Sequence, residues 1–206
     1  MLLMVTASTA ILYGQKGGYL TDAEADKLRD AQDPSQRIGL YLDFAQARLT
    51  RVAEFRATPE DPNYDTGAYL DGLMDQYVSI TDELKNWIQT QYDRQGDMRS
   101  GLQKLLEDGP KQLETLNQIQ KTPDAYSADY AGSLRDAIAD FSDMLDGATK
   151  ALADQQKFFG ELKRQTKAEA RAAKERLKEE KKRAKEEEKL RKREHKSRVP
   201  ADIDDE

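Results

Sequence analysis

The sequence predicts an all-α fold, an antiparallel four-helix bundle with a long charged C-terminal helical extension, and three observations carry that expectation. Apolar residues recur at helical spacing in four long stretches, strand-like alternation bounded by turn signals is missing, and 35% of the 206 residues are charged against 37% hydrophobic. A charged share well above the usual quarter points to long solvated helices. The length suits one domain with an appendage.

The first expected helix is short. Thr21 followed by Glu24 forms a capping box, so a polar helix is expected from Asp22 to Ala31. "DPSQ" then supplies a second start, with Asp33 as N-cap, Pro34 at the first helical position and Gln36 at the third. Ile38, Leu42, Ala45, Leu49 and Val52 repeat behind it at helical spacing, and the pattern ends before "TPEDPNYD". From Leu70 through Leu73, Met74, Tyr77, Ile80, Leu84, Trp87, Ile88 and Tyr92 runs the cleanest apolar face of the chain. Trp87 is expected in the core, between Leu84 and Ile88 on one side and the last bundle helix on the other.

"DRQGDMRSG" interrupts the pattern near Gly96, with Asp97 as the expected cap of a helix whose face is Met98, Leu102, Leu105, Leu106, Leu113, Leu116 and Ile119. Gly109 and Pro110 fall inside that helix, where the ring and the missing N–H predict a kink or the true corner. After "KTPD", Tyr130, Leu134, Ile138, Phe141, Leu145, Ala148, Leu152, Phe159 and Leu162 describe a last helix with no stop signal before Pro200. Run from Ser127 to Lys196, it would be ~105 Å long at 1.5 Å per residue. The organisation expected is therefore a signal peptide or apolar N-terminal segment over 1–20, a helical bundle over 21–162, a charged helical arm over 163–198 and an acidic disordered tail over 199–206.

Charge is distributed unevenly. The net charge is −6, but residues 163–198 hold 17 Lys or Arg against 8 Glu, while residues 199–206 add 4 acids and no base. The remaining 1–162 then carry 16 bases and 27 acids, so an acidic body bears a basic arm with an acidic tip. "KEEKKRAKEEEKLRKREHK", residues 178–196, contains only Ala184 and Leu190 besides charged residues and His195. Glu precedes a base by four residues at Glu179 and Arg183, Glu187 and Arg191, Glu188 and Lys192, and Glu194 and Arg198. Each such pair contributes only ~0.2 to 0.5 kcal/mol, yet Ala, Glu, Lys and Arg are strong helix formers, so the arm can remain helical without a packed face. A coiled coil is the second reading, weakly driven because the heptad seam thins to Ala173, Leu177, Ala184 and Leu190 and meets Glu180 and Glu187.

The third reading is an arm that grips nucleic acid, lipid or another anionic polymer. Eight interleaved glutamates and the lack of any Phe, Trp or Tyr from Glu161 to Arg198 weigh against nucleic acid, and the lack of an apolar face weighs against insertion into a membrane surface. Only "KLRKREHKSR" is densely basic, so Arg191, Lys192, Arg193, Lys196 and Arg198 are the candidate anion-binding residues.

Catalytic and cofactor chemistry is largely excluded by composition. With no cysteine, disulfides and thiolate sites are ruled out; with His195 as the single histidine, paired-His metal sites, bis-His haem and His-based triads go with them. "DPNYDTGAYLDG", residues 61–72, begins like a calcium loop with Asp61, Asn63 and Asp65. It fails at Thr66, where a glycine is needed, and at Gly72, where a bidentate Glu should close the site, so a turn that caps the next helix is the simpler reading. "YGQKGG" lacks the frame of a phosphate loop. No catalytic, cofactor or metal residue is expected, and no cofactor.

"MLLMVTASTAIL" has the length of a signal h-region, with Ser8 and Ala10 as small residues for a peptidase; it is too short to span a bilayer and lacks a basic n-region, the first base being Lys16. An exported or periplasmic location is expected, with the cytoplasm as the alternative.

"LRDAQDPSQRIGLYLDFAQARLTRV", residues 28–52, and "GDMRSGLQKL", residues 96–105, resemble a group of uncharacterised bacterial exported helical proteins. The resemblance covers the first three long helices and rests on helix starts; it implies export and brings no activity. The expected function is that of a non-enzymatic structural or interaction (scaffold) protein with a protein partner. The alternative is a binding module whose basic arm holds an anionic polymer, nucleic acid or membrane surface.

Overall fold

A computed structural model describes residues 18–57 and 64–198, with side chains as far as Arg193. The apolar N-terminal run, Asp61 and Asn63 of the calcium-like loop, and the acidic tail lie outside the described residues. Among the described residues all regular structure is helical: α1 (Asp22–Asp30), α2 (Pro34–Arg56), α3 (Thr66–Asp93), α4 (Arg99–Lys121) and α5 (Ala131–Arg198). The chain divides into two compact units, Met1–Gln156 and Lys157–Glu206, and α5 contributes residues to both.

The helix starts follow local chemistry. At α1, Thr21 Oγ1 accepts from the Glu24 N–H at 3.2 Å while the Thr21 N–H donates to Glu24 Oε2 at 2.8 Å, a closed capping box. Asp33 accepts from the Gln36 N–H at 2.8 Å with Pro34 in the first turn of α2, and Asp65 accepts from the Ala68 N–H at 3.0 Å at the start of α3. Asp65, the fifth residue of the calcium-like loop, thus serves as a helix cap.

The start of α4 departs from the expectation. Its N-cap is Met98, not Asp97, and no side chain within the turn caps it. The Met98 N–H donates instead to Gln155 Oε1 of α5 at 2.9 Å, while Asp97 accepts from the backbone N–H of Arg99 at 3.2 Å and from its guanidinium at 2.6 Å. A long-range amide has replaced the local cap, which is why the sequence around Asp97 could not place it.

The chain turns before Met98 and not at Gly109. α3 ends in a double hydrogen bond, Gly96 N–H to the Gln91 carbonyl at 2.9 Å and Gln95 N–H to the Tyr92 carbonyl at 3.0 Å, with Gln95 in the left-handed region at φ 57°. This is the Schellman ending that normally uses glycine at the left-handed position. α4 then passes through Pro110 unbroken, with the proline exposed. Gly109 is there for close approach, since a Cβ on it would stand 2.5 Å from Leu145 Cδ2 of α5.

Contacts between helices follow a consistent order. Along α2 and α3, Pro34 meets Trp87, Arg48 meets Gln76 and Arg51 meets Tyr69, so one numbering rises as the other falls. α4 and α5 do the same, with Met98 against Gln155 and Gly109 against Leu145. α3 and α5 rise together, from Asp75 and Ser133 through Tyr77 and Phe141 to Tyr92 and Asp154. So do α2 and α4, from Ser35 and Gly101 to Leu42 and Gln112. All four supply one apolar core, including Ile38, Leu49, Met74, Tyr77, Leu105 and Phe141.

Trp87 corrects the expectation made for it. It is half-buried, its Nε1–H donates to the Pro34 carbonyl at 3.1 Å, and the Arg37 guanidinium lies 4.5 Å from its ring centroid. The indole therefore covers the first turn of α2. Its N–H explains the placement, because a donor inside the core would need a partner there.

Two stability predictions follow from these placements. Phe141→Ala, which empties a fully buried site, should cost about 3 to 5 kcal/mol, whereas Trp87→Ala should cost about 1 to 2 kcal/mol because the indole is only partly buried. Gln95→Gly should stabilise the chain by ~0.5 to 1 kcal/mol by relieving the left-handed residue. Urea unfolding monitored by circular dichroism checks all three; equal losses for Phe141 and Trp87 would contradict the assignment.

Candidate functional site

The candidate anion-binding residues lie in the last stretch of α5. Every residue from Glu161 to Arg193 is exposed, including Arg191, Lys192 and Arg193. The side chains of Lys196 and Arg198, like that of His195, lie outside the described set. Lys192 is engaged by Glu188 at 2.6 Å, one of the four expected pairs, and Lys178 pairs with Glu175 at 2.9 Å over a three-residue spacing that the sequence reading did not single out. Among the described residues Glu179 with Arg183 and Glu187 with Arg191 make no ion pair, as the mobility of exposed long side chains allows.

In the first unit, a shallow groove of about 270 Å³ runs between α3 and α5. Its floor is Ile88, Met144, Ala148 and Ala151, and its rim carries Lys85, Asp143, Lys150 and Asp154, two charges of each sign. The Tyr92 hydroxyl donates to Asp154 Oδ2 at 3.0 Å across one end, and that hydrogen bond raises the Tyr92 pKa above its ordinary value. Sequence periodicity placed Tyr92 on the apolar face, but the face has turned outward there and the ring is 39% exposed. The groove offers an apolar surface of balanced charge.

Buried ionic groups would be the natural place for chemistry, and two clusters exist among the described residues. Arg48, 8% exposed, donates to both oxygens of Glu24 at 2.5 and 2.7 Å, to the Tyr19 carbonyl at 2.9 Å and to Gln76 Oε1 at 2.9 Å. Burial pushes the Glu24 carboxyl up, but the bonds from Arg48 and Thr21 outweigh it and hold the group below the usual carboxylate range. Asp124 is held low in the same way: burial opposes ionisation, and Arg56 at 2.5 Å, Ser127, the Tyr126 N–H and Tyr130 favour it. In both clusters the donors are consumed by structural partners: the first fastens α1 to α2 and α3, the second fastens the α4–α5 connection to the end of α2. Neither presents a free acid or base to a cleft.

Among the described residues no group of three or more His, Cys, Asp or Glu could hold a metal ion, and no helix is long and apolar enough to cross a membrane. Arg48, Gln112 and Gln155 are among the buried polar residues that sequence reading passed over, with Thr81 and Gln91. The available signal was a polar residue at a core-facing helical position.

The depressed carboxyls set a pH dependence. A group whose folded pKa is lowered contributes stability that is present above its unfolded value and lost as pH falls through the folded one, so the Glu24 and Asp124 clusters should weaken on acidification below the normal carboxylate range. Glu24→Gln should cost about 1 to 3 kcal/mol near neutrality and flatten the acid limb of the stability curve. Urea midpoints measured from neutral pH to about pH 3 test this; an unchanged acid limb would remove Glu24 from the account. No family model matches the chain, and no curated protein or solved structure matches it either.

Proposed function

We propose that the chain is a non-enzymatic structural or interaction (scaffold) protein, built as an antiparallel four-helix bundle of α2, α3, α4 and the first part of α5, with the charged helix over 163–198 as its interaction element. The bundle reading is supported by the order of contacts: neighbours in sequence, α2 with α3 and α4 with α5, meet with opposed numbering, and alternate helices meet with numbering that rises together. The observation that carries the functional reading is the run of exposed helical residues from Glu161 to Arg193. A helix this long that buries nothing of its own contributes little to a core, and its use lies in reach or in contact with another molecule.

One observation favours a second reading. Arg191 and Arg193 are exposed beside the engaged Lys192, so the end of the arm has cationic groups to offer to an anionic polymer or surface. Counterion release makes such binding steeply salt-dependent, and the interleaved glutamates reduce the number of phosphates the arm can neutralise.

The chain lacking 163–206 should keep a cooperative melt close to that of the full chain, because the described side chains among those removed, 163–193, bury no apolar face. Pull-downs from the native host with the full and shortened chains should then differ in the proteins retained; identical sets would remove the arm from the interaction. Retention of the full chain on DNA or anionic vesicles should be lost by physiological salt. Retention well above it would favour the second reading, with Arg191, Lys192, Arg193, Lys196 and Arg198 as the residues to neutralise.

A further inference from the structure

Leu162 and Leu177 are 46% and 52% exposed in the second unit. Fifteen residues separate them, close to four turns at 3.6 residues per turn, so both lie on one side of α5. Ala173 stands eleven residues beyond Leu162, and Ala184 eleven beyond Ala173. An eleven-residue period corresponds to about 3.67 residues per turn and stays on one side of a nearly straight helix, whereas a seven-residue frame drifts onto Glu180 and Glu187. Thr166 and Ala170 fill the positions between. The face is narrow and uncovered, apolar over its first part and reached by Glu180, Glu188 and Arg191 further along, each five turns beyond Leu162, Ala170 and Ala173.

The charges flanking this face are partly sorted by sign, although Arg176 and Arg183 also fall on the glutamate edge and Glu188 beside the lysine edge. Projected down the helix, Lys174, Lys185 and Lys192 fall along one edge and Glu169, Glu180 and Glu187 along the other. Each glutamate is followed five residues later by a lysine of the opposite edge: Glu169 by Lys174, Glu180 by Lys185 and Glu187 by Lys192. Two parallel helices in register face one another with opposite edges, and a residue meets the one about five positions further along its partner, an axial offset of ~7.5 Å. Antiparallel helices would set lysine against lysine. Arg176, which would face Lys181, is the repulsive exception.

We propose that this face is covered by a second copy of the chain, the two arms pairing in parallel and in register over about Leu162 to Lys192. The seam is formed by Leu162, Ala173, Leu177 and Ala184, and direction is set by three Glu–Lys pairs on each side. The proposal rests on the reading of the arm as an interaction element and names its partner.

Because the chain contains no cysteine, single cysteines in the full chain report directly. With oxidised glutathione as oxidant, Ala173→Cys on the seam should form a covalent dimer, because a residue meets its own copy across the axis only when the helices are parallel and in register. Arg171→Cys on the outer side should not. Light scattering of the unmodified chain should show the mass rising from 23.4 kDa toward twice that value with concentration.

Replacing the three glutamates by lysine, or Lys174, Lys185 and Lys192 by glutamate, should each weaken self-association at least about tenfold, equivalent to ~1.4 kcal/mol. Mixing the two variants should restore a heterodimer, an outcome that mere loss of helicity would not give. A mass fixed at 23.4 kDa at every concentration, cross-linking of Arg171→Cys equal to that of Ala173→Cys, or charge variants without effect would each overturn the proposal. A monomer that still retains host proteins through its arm would sink self-pairing and leave the interaction reading standing; a dimer that retains none would do the reverse.

Discussion

Each of α2, α3, α4 and the first part of α5 has one apolar face and cannot bury it alone. That constraint organises the first unit. Ile38, Leu42 and Leu49 of α2, Leu70, Met74, Tyr77 and Leu84 of α3, Leu102, Leu105 and Leu116 of α4, and Leu134, Phe141 and Ala148 of α5 belong to one cluster. Burial of such side chains stabilises by about 1.5 to 3 kcal/mol each, against a backbone ordering cost of similar size per residue. No single helix reaches net stability by itself; the shared core makes the four interdependent. Glycine is used where the backbones come closest: a Cβ on Gly101 would lie 2.8 Å from Ser35 Cα, and one on Gly109 would strike Leu145.

Within that core the polar residues determine alignment along the axes. Gln112 is 3% exposed, donates to the Leu42 carbonyl at 3.0 Å and accepts from the Tyr77 hydroxyl at 3.3 Å, so one amide links α2, α3 and α4. Burial raises the Tyr77 pKa strongly, which keeps that hydroxyl a donor. Gln155 performs a similar task at the other end, joining α5 to Met98 N–H and to the Gly96 carbonyl at 2.6 Å. Leaving any of these groups unpaired would cost about 1 to 3 kcal/mol, so a shift of one helix along another is penalised several times over. Apolar packing supplies the attraction, and the amides make one register better than its neighbours.

Most of the fold was legible because its signals are local. The capping box at Thr21 and the caps at Asp33 and Asp65 act within three residues, and the 3.6-residue period fixes which side chains turn inward. What sequence reading missed depends on residues far apart in the chain. Met98 is capped by an amide 57 residues away, Trp87 bonds to a carbonyl 53 residues away, and Arg48 reaches back 24 residues to Glu24. The break expected near Gly96 is where the chain turns, with Gln95 in a left-handed conformation, while the kink or alternative corner read at Gly109 and Pro110 does not interrupt α4. For the candidate site, the exposure of the basic residues was legible from composition, while the α3–α5 groove was not, because it depends on how two faces diverge near Tyr92.

α5 draws on two different sources of stability. Up to Gln156 its inward residues are buried with the core, and helical structure follows from packing. From Glu161 onward no described residue is buried, so helicity must come from composition. The closed pairs Glu175–Lys178 and Glu188–Lys192 contribute only ~0.2 to 0.5 kcal/mol each, and intrinsic propensity summed over Ala, Glu, Lys, Arg and Gln therefore outweighs them. Lys196 and Arg198 stand in the last turn of the helix, where its negative dipole end favours cations. The helix dipole thus favours bases at Lys196 and Arg198 without an anionic ligand, an effect confined to the last turn. The sorting of Glu169, Glu180 and Glu187 from Lys174, Lys185 and Lys192 onto opposite edges is a different matter. Propensity is indifferent to which edge a charge occupies, so it leaves that arrangement unexplained.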